Sequence, residues 1–192
     1  GFVHEIVDPA AGAHDSFGES LDLEDSLLVV GAYRTDMGPS NTGAAYVYEL
    51  NGSSFVLAAQ LKPSVNNAND HFGKSCAVSG DAVACGAPYS DAVNTNAGLV
   101  HIFEQNAGGP SSWGETATVS GSTQANNHFG WSLDLHGQTL AVGAPEQGGT
   151  QTGAVYTFDR NTHWGAQATL TASDADQNDQ LGRSVAIHGG VL

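Results

Sequence analysis

Short apolar runs separated by turn residues follow one another along the whole chain. In the segment SLDLHGQTLAV, apolar and polar residues alternate before the turn at Gly137, and a second apolar run follows it. A period of two, bounded by Gly, Asn, Asp and Ser, is typical of strands joined in tight hairpins. No long segment has helical periodicity, and no apolar run approaches the ~18 residues of a membrane helix. The pattern therefore predicts an all-β protein.

The hairpin pattern is repeated along the chain with a period of roughly 55 residues. Each copy begins with an aromatic–Gly pair, replaced by Leu-Gly in the last copy, at positions 17, 72, 129 and 181. A Gly-Ala pair follows at one fixed offset, at positions 31, 86 and 143. Further strand-like segments begin at positions 43, 98 and 153 and, opened by an aromatic, at positions 55, 113 and 164. Each unit is thus predicted to form four short antiparallel strands in two hairpins.

Such units are typical of the blades of a β-propeller, because a four-stranded blade must stack against neighbours to bury both faces. Small residues at the end of the second strand would let neighbouring backbones approach closely near the central axis. We expect a partial propeller of about three and a half blades over residues 1–192. Its predicted parts are the end of a preceding blade (1–12), three blades (13–68, 69–125 and 126–177) and the first hairpin of a further blade (178–192).

The repeated units resemble FG-GAP repeats, the blade motif of integrin α-subunit head domains and of many secreted microbial proteins. The resemblance covers nearly the whole chain and rests on two landmarks at one spacing, such as the Phe-Gly at Phe72 and the Gly-Ala-Pro at Gly86. It implies a β-propeller, often seven-bladed, that is usually extracellular and engaged in binding or adhesion.

The predicted number of blades falls short of the ~4–8 of closed propellers, so sheet faces and strand edges would be exposed. Either the chain is a segment of a larger protein, or copies of it complete one another by assembly. We favour the segment, because Leu192 falls inside an expected strand. The first residues, GFVHEIVDP, lack the basic and apolar regions of a signal peptide, so a mature product or a piece of a longer chain is expected.

The net charge of the chain indicates which classes of molecule it can bind. The chain has 5 Lys and Arg against 20 Asp and Glu, which gives a formal net charge of −15. An acidic surface repels phosphate backbones, which argues against nucleic acid as a partner. The same charge suits cations or basic partners, although solubility alone is the simpler explanation.

The two cysteines, Cys76 and Cys85, are predicted to face each other across the first hairpin of the second complete unit. Counting back from the turn makes them a non-hydrogen-bonded pair, whose Cα atoms lie ~4.5 Å apart, near the lower limit for a disulfide. Matching positions in the other units are apolar, so two buried thiols are the alternative. An extracellular setting favours a disulfide that staples this hairpin locally.

Calcium is the one cofactor that the sequence suggests. Some FG-GAP repeats carry an Asp-rich calcium loop between their first two strands, but those turns are short and poor in ligands here. An acidic stretch occurs instead at DADQNDQLG, where alternate residues have the spacing that calcium prefers. The candidate ligands are Asp174, Asp176, Asn178 and Asp179. A polar loop between blades is the alternative.

An Asp or Asn recurs two residues before each aromatic–Gly pair or its Leu-Gly equivalent. This regularity predicts a structural role, such as capping backbone amides at the turn into the first strand. The residues are Asp15, Asp70, Asn127 and Asp179.

Catalytic motifs are missing from the sequence. Gly-x-Ser occurs in every unit, as GES, GKS, GWS and GRS, yet the G-x-S-x-G of a hydrolase does not occur. A serine repeated in each blade predicts packing or hydrogen bonding, because one active site would not recur four times. The 8 histidines lack zinc spacing, and no redox C-x-x-C, GxGxxG or P-loop is present. The sequence predicts a protein without enzymatic activity.

The loops after the second strands are predicted to carry binding, since the strands are committed to packing. These loops are YRTDMGPSNT, PYSDAVNTNA and PEQGGTQT. The expected function is adhesion, ligand binding or structural assembly at the cell surface. The expected partner is a protein or glycan ligand, or further copies of the chain, through loops and blade edges. The alternatives are a building block of an extracellular filament and an ancillary propeller domain of a secreted enzyme.

The sequon NGS at Asn51 predicts N-glycosylation in the turn between a third and a fourth strand. This prediction applies to a eukaryotic secretory setting.

Overall fold

The computed structural model describes residues 5–10, 14–148 and 150–189. In these ranges the chain forms twelve strands and a short 3₁₀ turn, Arg160–Thr162. The strands pair in chain order into three four-stranded antiparallel sheets, which we call blade 1, blade 2 and blade 3. Blade 1 contains β1 (Phe17–Glu24), β2 (Leu27–Ala32), β3 (Ala44–Asn51) and β4 (Ser54–Leu61). Blade 2 contains β5 (Ser75–Ser79), β6 (Ala82–Ala87), β7 (Leu99–Gln105) and β8 (Trp113–Val119). Blade 3 contains β9 (Ser132–His136), β10 (Thr139–Ala144), β11 (Ala154–Asp159) and β12 (Gly165–Leu170).

The architecture confirms the prediction of an all-β protein with propeller-like blades of four antiparallel strands. The predicted register is present in blade 2, where the two-residue turn Gly80-Asp81 places Cys76 opposite Cys85. In every blade, the pairing of the third strand with the fourth contains a bulge at the same place in the repeat. A bulge increases the local right-handed twist, which shapes each sheet into a blade.

Apolar side chains fill the two spaces between successive blades. Val29 and Val47 of blade 1 pack with Phe72 and Phe103, which belong to the second repeat. A larger cluster, which includes Phe129, joins blade 2 to blade 3. The first strands β1, β5 and β9 lie against one another, so they form the inner end of the blades, nearest the propeller axis.

Neighbouring blades approach each other closely at the Gly-Ala pair that ends each second strand. A Cβ on Gly86 would overlap the carbonyl oxygen of Gly130 in the next repeat, and a Cβ on Gly143 would overlap that of Gly182. The close backbone approach predicted for these small residues is therefore confirmed, and any side chain there would push the blades apart.

The repeated serine closes the same junction. Ser75 Oγ donates a hydrogen bond to the carbonyl oxygen of Gly130 at 2.7 Å. The equivalent bonds run from Ser20 to Gly73 at 3.0 Å and from Ser132 to Gly182 at 2.8 Å. Each of these three serines thus ties the first strand of its own repeat to the start of the next, which confirms the predicted hydrogen-bonding role for the first three repeats.

A backbone ladder adds to this junction. The amide of Phe72 donates to the carbonyl of Thr42 at 2.9 Å, and the amide of Phe129 donates to that of Ala97 at 3.0 Å. The amide of Leu181 repeats the pattern with Thr152 at 3.0 Å. The start of the fourth repeat therefore docks on blade 3 as the second and third repeats dock on their predecessors.

The two ends of the predicted propeller differ from the complete blades. Residues 5–10, within the predicted end of a preceding blade at 1–12, contain no strand, and the other residues of that segment lie outside the described part. Residues 178–189 form no strand of the predicted hairpin, although Leu181 makes a parallel bridge to Gly153. The strand that would pair with them would begin near residue 191, and residues 190–192 lie outside the described part.

Candidate functional site

The variable residue of the repeated Gly-x-Ser motif lies at the start of the inner strands β1, β5 and β9, and at the equivalent position of the fourth repeat. In chain order these residues are Glu19, Lys74, Trp131 and Arg183. Lys74 Nζ lies 2.5 Å from Glu19 Oε1 and 5.4 Å from the centre of the Trp131 ring. The guanidinium carbon of Arg183 lies 5.7 Å from the centre of the same ring. Four positions that are far apart in sequence therefore meet at the inner end of the blades.

Two residues of the loop after β2 extend this contact. Lys74 Nζ lies 4.6 Å from the centre of the Tyr33 ring, and the guanidinium carbon of Arg34 lies 5.1 Å from it. Cations and rings thus alternate in a row, which we call the axial row. Its members, in order, are Arg34, Tyr33, Lys74, Trp131 and Arg183. The ring quadrupoles attract the cations, so the rings restrict where the positive charges lie.

A series of packed rings connects Tyr33 to Trp131. The ring centres of Tyr33 and His71 are 5.1 Å apart, and those of His71 and Tyr89 are 4.8 Å apart. His128 continues the series, with its ring centre 4.6 Å from Tyr89 and 6.1 Å from Trp131. Tilted and edge-to-face ring pairs of this kind have preferred geometries. The spacing of the axial row is therefore set by packed rings.

The axial row concentrates positive charge in an acidic protein. It contains three of the chain's 5 Lys and Arg residues. Lys74 pairs with Glu19, whereas Arg34 and Arg183 form no ion pair with any carboxylate of the described residues. Arg160, in contrast, is held by two carboxylates at the opposite, β11–β12 turn. Carboxylates greatly outnumber cations in this protein. Two exposed arginines that pair with no carboxylate of the described residues therefore distinguish this surface from the rest of the molecule.

The imidazole of His71 lies beside two of these cations. Burial lowers the pKa of His71, and the charges of Arg34 and Lys74 lower it further. Its Nδ1 atom is buried and has no hydrogen-bond partner in the part of the chain that the structure describes. The neutral form is therefore favoured near pH 7, and the positive charge of the surface resides on lysine and arginine.

A polar groove of about 380 Å³ lies beside Arg34. Its lining residues are His14, Asp15, Arg34, Asp36, Asn41 and His71. The amide of Asn41 donates to Asp36 Oδ1 at 2.7 Å, and its side chain donates to Asn69 Oδ1 at 3.1 Å. Asn96 makes the same two contacts in the next loop, at 2.7 and 3.1 Å. Each loop is thus ordered by one hydrogen bond within the loop and one to the segment that leads into the next repeat.

The predicted binding loops contribute only part of the axial row. Tyr33 and Arg34 belong to the first of those loops, as predicted. Lys74, Trp131 and Arg183 were not predicted as site residues. The available signal was the change of residue type within GES, GKS, GWS and GRS, where the flanking Gly and Ser do not change.

The predicted calcium ligands lie in an exposed loop that leads away from blade 3. Asp179 Oδ2 accepts the amide of Asp176 at 2.7 Å, and Asp70 Oδ2 accepts that of Asn67 at 2.9 Å. These two bonds confirm the predicted capping role for Asp70 and Asp179, whereas Asn127 Nδ2 donates to the carbonyl oxygen of Ser122 at 3.2 Å. Among the residues described, no three His, Cys, Asp or Glu side chains are grouped as a metal site. Calcium binding stays a prediction for Asp174, Asp176, Asn178 and Asp179.

Cys76 and Cys85 lie opposite each other in β5 and β6 and are buried as free thiols. Burial raises the pKa of the Cys85 thiol well above its ordinary value, and the neighbouring Cys76 raises it further. A thiol in such a setting stays protonated and is a poor nucleophile. The disulfide between them stays a prediction.

Asn51 ends β3 and is exposed together with Gly52 and Ser53 of the following turn. A glycan attached there would project into solvent, away from the clusters between blades. Glycosylation of Asn51 stays a prediction.

A buried acid–histidine pair occupies the junction between blade 1 and blade 2. His101 Nδ1 lies 2.7 Å from Glu115 Oε1, and the amide of Ser64, which follows blade 1, donates to Glu115 Oε2 at 2.6 Å. Burial raises the pKa of Glu115, but the hydrogen bonds from His101 and Ser64 outweigh it and hold that pKa below its ordinary value. In blade 3, Tyr156 takes the place of His101 and its hydroxyl accepts the amide of Ser122 at 3.1 Å. The pair therefore joins blades.

The fold and the axial row together define a β-propeller with an ordered, cation-bearing surface at the inner end of its blades. The sequence profile of the FG-GAP repeat matches residues 1–48, 55–103, 113–158 and 164–192. The chain belongs to the FG-GAP repeat family, which confirms the resemblance seen in the sequence. This family is generally non-enzymatic, and its repeats are typical of extracellular proteins. The comparison with curated protein sequences gave no match.

Two solved structures are similar to the chain in fold. Sqt1 of Saccharomyces cerevisiae has a TM-score of 0.54 and 14% identity over 85% of this chain. A europium-containing methanol dehydrogenase has a TM-score of 0.52 and 12% identity over 82% of this chain. The chain spans 38% and 25% of those two proteins, respectively. At such identities the likeness shows the fold alone. Across the described residues, no helix has the length and apolar character needed to cross a bilayer.

Proposed function

We propose that the chain is a non-enzymatic, extracellular β-propeller module that binds a ligand, and that the axial row is its contact surface. The observation that carries this proposal is the alternation of three cations with two rings at the inner end of the blades. The strands and the clusters between blades supply a rigid scaffold, and binding residues on such scaffolds are held near their productive geometry.

Family membership supports the non-enzymatic and extracellular parts of the proposal. FG-GAP repeats cover most of the chain and are typical of extracellular proteins. The exposed sequon at Asn51 and the facing cysteines of β5 and β6 suit the same setting. Immunolabelling of intact source cells tests it: we expect signal without permeabilisation. Signal that appears only after permeabilisation would contradict an extracellular site.

Binding through the axial row is tested with the labelled chain on arrays of immobilised glycans and matrix proteins. We expect K74Q and R183Q each to weaken the strongest signals about tenfold, because each removes a charge-assisted contact. The matched control is K62Q, which changes the net charge equally but lies on the exposed segment after β4. Equal signals for K74Q, R183Q and K62Q, or no ligand on either array, would overturn the proposal.

Assembly is a second candidate function, and one observation favours it. Leu21 and Leu23 on β1 are 66% and 53% exposed, whereas the equivalent Cys76 and Val78 on β5 are 6% and 2% exposed because blade 1 covers them. Monomeric proteins rarely leave such apolar faces uncovered. We propose that a blade of a second copy packs here, as in a filament.

Sedimentation velocity over a range of concentrations tests the assembly. We expect the chain to associate as its concentration rises, and L21D/L23D to remain monomeric because it places charges in the contact. V93D is the control: Val93 is exposed in the loop between β6 and β7, and the variant should associate like the original chain. A monomer at every concentration would remove this candidate.

A further inference from the structure

We propose that the axial row binds a short saccharide that carries carboxylate groups. This inference rests on the proposed function and names the class of ligand for the same surface. The argument uses the contacts that the row makes within the chain, the charge of the whole protein and the chemistry of its rings.

The Lys74–Glu19 contact shows which kind of group the row accepts. The Glu19 carboxylate is partly exposed and lies 2.5 Å from Nζ of Lys74, the middle member of the row. At one end of the row, Arg183 Nη1 donates to the neutral amide oxygen of Gln180 at 3.2 Å. A guanidinium group recognises carboxylates through two parallel hydrogen bonds. A ligand carboxylate can therefore bind at Arg183 and compete with Glu19 at Lys74.

The charge of the protein limits the size of the ligand. A net charge of −15 repels polyanions over distances of about 10 Å at moderate ionic strength. A long acidic polymer would extend from the axial row over the acidic remainder of the surface. A ligand with two or three carboxylates gains the local contacts without that repulsion.

The rings favour a sugar over an acidic peptide. Tyr33 and Trp131 are half-buried and alternate with the cations, so apolar ring surface lies between the positive charges. The exposed part of each ring gives an apolar surface against which the C–H groups of a sugar ring can pack. A pyranose carries its carboxylate on a rigid ring, whereas a glutamate side chain loses rotamer freedom on binding. The alternation of ring and cation therefore matches an acidic oligosaccharide.

Isothermal titration calorimetry with trigalacturonate tests the ligand class on the full chain. We expect K74Q and R183Q each to weaken binding about tenfold, and K62Q to leave it unchanged. We expect E19Q to tighten binding about threefold, because it removes the internal competitor for Lys74. A purely structural role of Glu19 would not produce tighter binding. Urea unfolding of each variant verifies that it folds.

Two matched ligands complete the experiment. Fully methyl-esterified trigalacturonate has the same sugar rings without charge, and we expect no measurable binding. Triglutamate has the same number of side-chain carboxylates without sugar rings, and we expect at least tenfold weaker binding. Equal binding of the ester, equal binding of triglutamate, or no binding of trigalacturonate would each overturn the inference. Such a result would leave the proposed function standing if the array signals still depended on Lys74 and Arg183.

Discussion

Ser75 and Gly130, which lie in successive repeats, are joined by a hydrogen bond of 2.7 Å from the serine hydroxyl to the glycine carbonyl. The same glycine lies against Gly86, where no side chain fits. The Gly-x-Ser and Gly-Ala motifs that recur along the sequence therefore encode a junction between blades. Their glycines permit the close approach, and the serine supplies the hydrogen bond across it.

Replacing the junction serine should destabilise the fold in proportion to its burial. We expect S75A to lower the free energy of unfolding by about 1–3 kcal/mol, because a buried carbonyl loses its donor. S20A, at the less buried first junction, should cost less. Urea unfolding monitored by tryptophan fluorescence measures both. A cost for S75A no larger than that of S112A, a substitution at an exposed loop serine, would contradict the role assigned to the junction.

Adding one methyl group at the close approach should be costlier than removing the hydroxyl. We expect G86A to lower the free energy of unfolding by about 3 kcal/mol or more, because the new Cβ overlaps backbone that cannot rotate away. G52A is the comparison, since its new Cβ would meet open space. Its only cost is the backbone strain of a non-glycine residue at a positive φ of 65°. Chemical denaturation of the two variants gives the difference. Equal costs would show that the blades separate easily at this point.

The blade architecture could be predicted because its signals are local. A two-residue turn at Gly80-Asp81 fixes the register of a hairpin, so the opposition of Cys76 and Cys85 followed by counting. The role of the repeated serine followed from its recurrence alone. These features depend on contacts within one repeat or on the repetition itself.

The axial row could not be predicted from the same signals. Its contacts join equivalent positions of successive repeats, such as Lys74 and Trp131. Sequence spacing shows that such positions are equivalent, but it does not show that they touch. Whether they touch depends on how one blade is rotated against the next, and the packing of whole sheets determines that rotation. A cation–ring contact across repeats therefore has no one-dimensional pattern.

The pair of Glu115 and His101 should make stability depend on pH. Because the pKa of Glu115 is lower in the folded chain than its ordinary value of 4.5, ionised Glu115 favours folding. This contribution is fully present above that ordinary pKa and is lost as the pH falls through the lower pKa of the folded chain. We expect E115Q to cost about 1.5–3 kcal/mol at pH 7.

Urea unfolding across pH 7 to 3 measures this linkage. The difference between the original chain and E115Q should shrink as the pH falls from 4.5 through the lower pKa of folded Glu115, because protonated Glu115 is uncharged like the glutamine. The control is E49Q, at an exposed position of β3. A difference that does not change with pH would show that Glu115 acts by packing alone.

A calorimetric titration with calcium should show whether the acidic loop is a calcium site or only a capped turn. Because Asp179 caps the amide of Asp176, D179N should keep part of that hydrogen bond but weaken any calcium site. If the predicted ligands bind calcium, calorimetric titration should give heat with the original chain and much less with D174N/D176N. Absence of heat at millimolar calcium would leave the capping role as the sole function of this loop.

The two cysteines should form a disulfide only while the chain folds. In the folded structure both thiols are buried, and the raised pKa of Cys85 keeps that thiol protonated and unreactive. We therefore expect native reduced protein to resist iodoacetamide and oxidised glutathione, whereas refolding with oxidised glutathione should link Cys76 to Cys85. Intact mass under denaturing conditions counts the alkylated thiols in each sample.

The linked form should be more stable by about 2–3 kcal/mol, because the closed loop restricts the unfolded chain. C76A/C85A is the control, since it should unfold identically after either treatment. Two free thiols after oxidative refolding would show that the hairpin geometry excludes the bond and that the pair serves as apolar packing between blades 1 and 2.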